Sequence, residues 1–453
     1  MAVFQSIFPF NQTLVHEYRV MDDAAIDAAI QSAEKGFATW RNTSFSERGT
    51  VLNNAAGILR KNKESYAQLI TREMGKVLPE SIAEVEKCAW VCEYYAAHGE
   101  SFLAEEIIEA GFHRSFVTYQ PIGAVLAIMP WNFPFWQVFR YAAPTLMAGN
   151  VSLLKHAPNV CGCSLAIADL FIQAGAPEGV FQSLIIDTPV VEKILATNIV
   201  QAVTLTGSER AGISVAEIAG RNIKKSLLEL GGSDALIVLK DADLQKAATV
   251  ALQSRLLNAG QSCIGSKRFI VVQEVMDEFL HYLQEGIKQY TQGDPLQAGI
   301  KTGPLARLDL ANNLAQQLVI SVKQGAHLEY GGVSDGCNFM PSLLTNVRPG
   351  MAAFDQETFG PLAAVISAKD EKEAIALANL SPYGLAGSVW TKDVERGINI
   401  ARQITTGAVF INSIVKSDPR LPFGGVKKSG YGRELGRLGI LEFVNAKTIA
   451  AEQ

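Results

Sequence analysis

Gly123-Ala-Val-Leu-Ala-Ile-Met129 is an unbroken apolar run, Pro130-Trp-Asn132-Phe-Pro134 a proline-bracketed turn, and Phe135 to Met147 a stretch of helical character. A short apolar run bounded by turn residues reads as a buried strand. The same rhythm recurs downstream. Val151 to Leu154, Val180 to Ile186 and Ala202 to Thr206 read as strands, separated by helices near Cys161 to Ala174 and Val190 to Thr197. Such alternation predicts an α/β fold in which helices cover a parallel sheet and ligands bind at the carboxyl ends of its strands.

After Glu229-Leu-Gly-Gly232 the rhythm restarts, with strands at Ala235 to Leu239 and Phe269 to Val272 and a helix from about Leu244 to Leu257. A domain boundary is expected at the glycine pair. The second α/β unit continues through Leu362 to Ser367, Ser388 to Trp390 and Ala408 to Asn412. Upstream, Asp22 to His98 carries apolar residues at three- and four-residue spacing and reads as a helical layer, with Asp22-Asp23 as its cap. The alternation in Phe112 to Tyr119 suggests an exposed edge strand used for assembly, and Phe443 to Ala451 a further outlying strand. The expected division is 1–111 with 122–231, then 232–430, with 112–121 and 431–453 forming strands and a C-terminal segment outside both.

A chain of 453 residues is too long for one core, and 48% apolar with 19% charged residues is ordinary for a soluble enzyme. A net charge of -5 gives no reason to expect nucleic acid or an anionic membrane as partner. Six cysteines and no evident leader point to free thiols in the reducing cytoplasm. Cys88 with Cys92, and Cys161 with Cys163, lack the further ligands of a metal site, so no metal is expected. The apolar region from Pro121 to Leu154 is too often interrupted by prolines, asparagines and Arg140 to span a membrane.

Chemistry is expected in Asn258-Ala-Gly-Gln-Ser-Cys263-Ile-Gly-Ser-Lys267, where one cysteine stands between glycines that let a substrate carbonyl approach its sulfur. A lone cysteine is more often a structural thiol. Thr206-Gly207-Ser208-Glu-Arg-Ala-Gly212 lies where a strand meets a helix, a place for a pyrophosphate or simply a helix cap. Asn132 suits an oxyanion donor or an N-cap. Lys155, ending an apolar strand, is either a contact to a cofactor hydroxyl or phosphate or a solvated cation. Glu229, in an apolar run, is a plausible general base or a carboxylate satisfied by backbone, and Glu357 a second acid held by a turn or a solvated one.

Pro130-Trp-Asn-Phe-Pro134, Thr206-Gly-Ser208, Glu229-Leu-Gly-Gly232, Gly260-Gln-Ser-Cys263, Glu357-Thr-Phe-Gly-Pro361 and Pro422-Phe-Gly-Gly-Val-Lys427-Lys-Ser-Gly430, in this order, resemble the aldehyde dehydrogenase family from about Asp22 to Thr448. The resemblance implies a Rossmann-like cofactor domain (1–111 and 122–231), an α/β catalytic domain (232–430) and a small β extension for oligomerisation. It implies that Cys263 attacks the aldehyde as a thiolate. The amide of Asn132 and the N–H of Cys263 would hold the oxyanion, hydride would pass to a nicotinamide, and Glu229 would activate the water that hydrolyses the thioester. It assigns Trp131, Lys155, Pro158, Gly207, Ser208, Glu357 and Phe359 to the cofactor.

Three features narrow the resemblance. Lys155-His-Ala-Pro158 places proline where many NAD-preferring relatives carry a ribose-binding Glu. With Lys155 and His156 able to attract a 2'-phosphate, use of both NADP and NAD is expected. Arg140 lies two helical turns from Asn132, with Trp136 between, and reads as a structural salt bridge or, at this offset, as similar to the carboxylate-binding arginine of succinate-semialdehyde dehydrogenases. A second such arginine in some of those enzymes is Leu257 here, which leaves Ser417, Lys416 or Arg420 to supply contacts. The chain is short for the family, with little before Asp22, like the short bacterial members. The expected substrate is therefore succinic semialdehyde. A broad-specificity enzyme for uncharged aldehydes, a CoA-acylating relative and a non-catalytic structural relative are the alternatives. A homodimer or homotetramer is expected.

Overall fold

The computed structural model describes residues 2–452. Its first sheet has six strands in the order Gly430–Tyr431, Lys225–Glu229, Val200–Thr206, Ala124–Met129, Val151–His156 and Phe181–Ser183. All neighbours run parallel except the short Gly430–Tyr431 pairing with Leu228 and Glu229. Helices on both faces leave no solvent side, so the central strands are apolar at successive positions; Ala124, Val125, Leu126 and Ala127 are all fully buried.

The second sheet has seven strands in the order His327–Tyr330, Ser342–Thr345, Leu362–Ala368, Arg268–Val272, Ala235–Val238, Ala386–Trp390 and Ala408–Ile411, of which only the first is antiparallel. Gly231 and Gly232 lie between the two sheets in the chain. The N-terminal helices Asp23–Trp40, Phe45–Lys61, Lys63–Met74 and Leu78–Phe102 form the helical layer. Asp22 caps the first by accepting from Ala25 N at 2.9 Å, and Ser44 with Glu47 forms a capping box on the second.

Three elements differ from expectation. The run Val180 to Ile186 forms a strand only over Phe181–Ser183 before it turns toward Asp187-Thr-Pro189. Arg114–Pro121 is no edge: it is the middle of a three-stranded antiparallel sheet, between Glu106–Ile107 and Val444–Ala451, and those two strands carry the free edges. An N-terminal hairpin, Val3–Phe8 with Thr13–Arg19, was not anticipated, because one inward position holds a serine that interrupts the apolar alternation. That Ser6 is fully buried and donates to Glu73 at 2.6 Å.

Candidate active site

Cys263 follows the helix Leu244–Leu256 through a turn that three consecutive residues make in left-handed conformation: Asn258 (φ 53°), Ala259 (φ 49°) and Gly260 (φ 73°). Only the glycine is at ease there, and a Cβ on it would collide with the Gly360 carbonyl. The surrounding hydrogen bonds hold the two strained residues in place. Asn258 Nδ2 donates to Asn132 O at 2.7 Å and Gln261 O at 3.2 Å, and Asn258 N donates to Glu80 Oε2 at 2.8 Å. Buried Arg255 donates to the carbonyls of Gly260, Thr358 and Gly360. Fully buried Lys267 donates to Ser262 O at 2.8 Å and Cys263 O at 2.6 Å, and pairs with Glu357 at 3.4 Å. The cysteine loop is thus fixed from three sides.

Two cavities meet at Cys263. The first, of about 350 Å³, is lined by Trp131, Asn132, Gly207, Ser208, Glu357 and Phe359 among others. Trp131 and Phe359 stand edge to face at 5.8 Å, and Glu357 accepts from Gly232 N at 3.0 Å. Ser208 caps the helix Glu209–Arg221, so that helix's first amides and its positive end lie at the cavity. The second, of about 230 Å³, is lined by Lys87, Trp136, Arg140, Leu257, Ser417 and Phe423 among others. Cys263 and Gln137 line both.

Asn132 Nδ2 donates one hydrogen to Gln261 O at 3.0 Å, while its Oδ1 has no partner. Among the described residues nothing accepts the backbone N–H of Cys263. Glu229 ends a central strand, is 2% exposed, and neither carboxylate oxygen has a hydrogen-bond partner. Burial pushes its pKa up to about 8, against the field of Arg140 and with that of Glu434. Burial likewise raises the Cys263 thiol to about 11, opposed by Arg140 and Lys267. A neutral thiol and an acid that gains its charge near pH 8 therefore lie within each other's field, although Glu229 lines neither cavity. A thiol in the field of a buried carboxylate, with a free backbone donor on the cysteine loop and the Asn132 amide set against that loop from the other unit, is an arrangement for acyl chemistry.

Residues 2–449 match the Aldehyde dehydrogenase family. The chain belongs to that family. A probable succinate-semialdehyde dehydrogenase [NADP(+)] of Synechocystis is 48% identical over 447 residues, 98% of each chain. A succinate-semialdehyde dehydrogenase [NADP(+)] of Mycobacterium avium is 44% identical over 451 residues, 98% of this chain and 96% of that one. The crystal structure of succinic semialdehyde dehydrogenase from Streptococcus pyogenes in complex with NADP+ superposes with a TM-score of 0.97 at 37% identity, over 99% of this chain and 100% of that one.

The aldehyde dehydrogenase fold gathers Cys263, Glu357 and Phe359 from the second unit against Trp131, Asn132, Gly207 and Ser208 from the first. Gly207 N also donates to Glu229 O at 2.9 Å, tying the turn at Ser208 to the strand that ends in Glu229. Lys155 and Pro158 lie outside both cavity linings, at the carboxyl end of the Val151–His156 strand. His156 is no phosphate ligand. It is buried against Pro134 O at 2.9 Å, its pKa is pulled down to about 4, and it stays neutral. Arg420 does not reach the second cavity, because it forks onto Asp418 at 2.7 Å and lies over the Trp90 ring.

Arg140 does line that cavity, but it is ion-paired with buried Glu434, donates to Thr206 Oγ1 at 3.3 Å and sits over the Phe423 ring. The structural salt bridge weighed from sequence is therefore present. Lys87, Gln137, Lys267 and Glu434 were not anticipated. Each is a single polar residue whose role appears only once distant segments pack, and only Lys267, four residues after Cys263, carried a local signal.

Proposed function

We propose that this aldehyde dehydrogenase oxidises succinic semialdehyde to succinate, with NADP as its main cofactor and NAD also accepted. The carrying observation is Cys263 at the junction of two cavities, one lined by the dinucleotide-type turn at Gly207 and Ser208, the other small, largely apolar and lined by Arg140, Lys87 and Ser417 among others. The NADP-dependent relatives at 48% and 44% identity support the same reading.

The residues present fit such a cofactor. Lys155 is 7% exposed, yet has no ion-pair or hydrogen-bond partner among the described residues, as suits a cation that awaits a ribose hydroxyl or phosphate. Pro158 supplies no charge to repel a 2'-phosphate. Trp131, Gly207, Ser208, Glu357 and Phe359 would hold the remainder, and the bound nicotinamide supplies the hydride acceptor that turns the cysteine adduct into a thioester. The chain's own residues do the rest. The Cys263 sulfur attacks the aldehyde carbon, its proton leaves to a base, and the new oxyanion takes hydrogen bonds from the Cys263 N–H and the free N–H of Asn132. Glu229, buried and hydrogen-bond free, accepts a proton from the water that opens the thioester, and succinate leaves.

In this reading 122–231, with the helices before it, forms the cofactor domain and 232–430 the catalytic one. The free edge of Val444–Ala451 joins subunits as a dimer or tetramer in the cytoplasm. Among the described residues no helix is long and apolar enough to cross a membrane.

The Arg140–Glu434 pair favours one other reading, in which Arg140 is structural and the enzyme takes uncharged aldehydes. Initial rates with succinic semialdehyde, propanal and benzaldehyde against NADP and NAD separate the two. The expected outcome is a preference for succinic semialdehyde, with NAD efficiency within about a hundredfold, about 2.7 kcal/mol, of NADP. Equal efficiency with propanal sinks the substrate assignment, and NAD turnover several orders of magnitude weaker sinks dual use.

A further inference from the structure

Glu80 stands in the first turn of the helix Leu78–Phe102, and its side chain reaches the loop that carries Cys263. Its Oε2 accepts from the backbone N–H of Asn258 at 2.8 Å. Asn258 is the first of the three left-handed residues before the cysteine, and an amide turned out of the helical path needs an acceptor from elsewhere. Glu80 supplies it. From there the bonds continue inward. Asn258 O accepts from Gln261 N at 3.0 Å and Gln261 Nε2 at 3.1 Å, and Gln261 O accepts from Asn132 Nδ2 at 3.0 Å. The residue that Glu80 grips is thus linked bond by bond to the Asn132 amide and shares a loop with the N–H of Cys263.

Glu80 also faces a third cavity. This one, of about 500 Å³, lies between the helices Leu244–Leu256 and Met276–Ile287, where Leu252, Tyr282, Tyr290 and Lys301 line it. Thr249, Gln253, Gln289 and Lys301 in its wall are exposed, so it opens to solvent. Among the described residues Glu80 is the only one that lines both this cavity and the second, and none that lines the first lines the third. The Glu80 charge is felt there: with burial, it raises the Tyr290 phenol to about 12. Protons of the medium therefore have a way to Glu80 that a ligand filling the first and second cavities does not close.

We propose that Glu80 is a positioning residue for the nucleophile loop, that it holds Asn258 as a carboxylate, and that protonation through the third cavity weakens that hold. This rests on the reading of Cys263 as the nucleophile. The charged and titratable groups around Glu80 are Lys76 and Glu84, paired with each other, Tyr282, Tyr290 and Lys301 in the third cavity, and Lys87, Arg140, Cys263 and Lys416 in the second. Burial, helped by Glu84, lifts the Glu80 carboxyl to about 7 against Lys76 and the Asn258 N–H. Below about pH 7 the acceptor is a neutral acid, and a hydrogen bond to a neutral group is roughly half as strong as one to a charged group. The oxyanion donors then sit on a looser loop, and the transition state loses more than the bound substrate does.

The test compares full-length wild type, Glu80→Ala and Glu80→Gln from about pH 6 to pH 9, with NADP and whichever of succinic semialdehyde and propanal wild type turns over faster. Alanine removes the acceptor, whereas glutamine keeps a neutral one at every pH. At pH 8 kcat is expected to fall about 10- to 100-fold in Glu80→Ala with little change in KM, the scale of a lost charge-assisted hydrogen bond, and about 3- to 10-fold in Glu80→Gln. The ratio of Glu80→Gln to wild-type kcat should then climb toward one as pH drops through about 7, and taking the ratio cancels the titration of Glu229, common to both. A ratio that stays constant across the range overturns the proton-linked hold, and it is read on Glu80→Gln even if Glu80→Ala does not fold. A kcat unchanged in both variants, or a loss confined to KM, overturns the positioning role. Turnover that survives in Cys263→Ala overturns instead the reading of the nucleophile on which this one rests.

Discussion

The carboxylate of Glu229 is buried without a hydrogen-bond partner, so folding raises its affinity for a proton from the ordinary 4.5 to about 8. Below about pH 4.5 folded and unfolded chains both carry that proton. As pH rises from there toward about 8 the unfolded chain releases it while the folded chain keeps it, and stability falls. Glu229→Gln removes the slope. Melting curves from about pH 5 to pH 8 should show the variant gaining on wild type as pH rises. A constant gap over that range means that Glu229 titrates normally. In turnover, the wild-type rate should climb through about pH 8 as the base gains its charge. The variant should release one burst of reduced nicotinamide and then stall with acylated Cys263, and steady turnover at wild-type rate excludes Glu229 as the base.

At the scale of the element, the loop before Cys263 stores strain at Asn258 and Ala259 that its hydrogen bonds must hold. Asn258→Ala removes two hydrogen bonds, to Asn132 O and Gln261 O, and among the described residues leaves the cysteine loop tied to the Asn132 turn only through Asn132 Nδ2 and Gln261 O. Urea unfolding should register a loss of about 1–3 kcal/mol. Because the oxyanion donors lose their fixed positions, kcat should drop more than KM changes; a drop in stability with kcat unaltered means that the loop is scaffolding only.

Elements of this kind explain what the sequence disclosed. The βα alternation and the turns at Asn132, Ser208, Glu229 and Cys263 are local patterns, readable from residues adjacent in the chain. The N-terminal hairpin was hidden by Ser6, whose burial depends on Glu73 from a different helix. Lys87 and Glu434 were hidden for the same reason: a helix surface lysine and one that lines a cavity look alike until Ser417 and Trp136 arrive from elsewhere. For Arg140 the sequence located the cation and weighed a salt bridge, but not which carboxylate would pair with it, because Glu434 lies almost 300 residues away in the chain.

Across the whole molecule, neither sheet owns the site. Trp131, Gly207 and Ser208 come from the first α/β unit and Cys263, Glu357 and Phe359 from the second, with direct bonds between them such as Asn132 Nδ2 to Gln261 O and Asn258 Nδ2 to Asn132 O. Unfolding either unit dismantles the cavity, so a ligand that fills it stabilises both at once. Cys263→Ala, which on the proposed mechanism blocks turnover and changes a single lining side chain, isolates this effect. With NADP at a hundredfold its Kd, the variant should gain about 2.7 kcal/mol, and its Tm should keep rising with the logarithm of NADP concentration. If unfolding shows two transitions without ligand, both should move. A shift confined to one of them means that the cofactor binds one unit alone, and the shared cavity is then not where it sits.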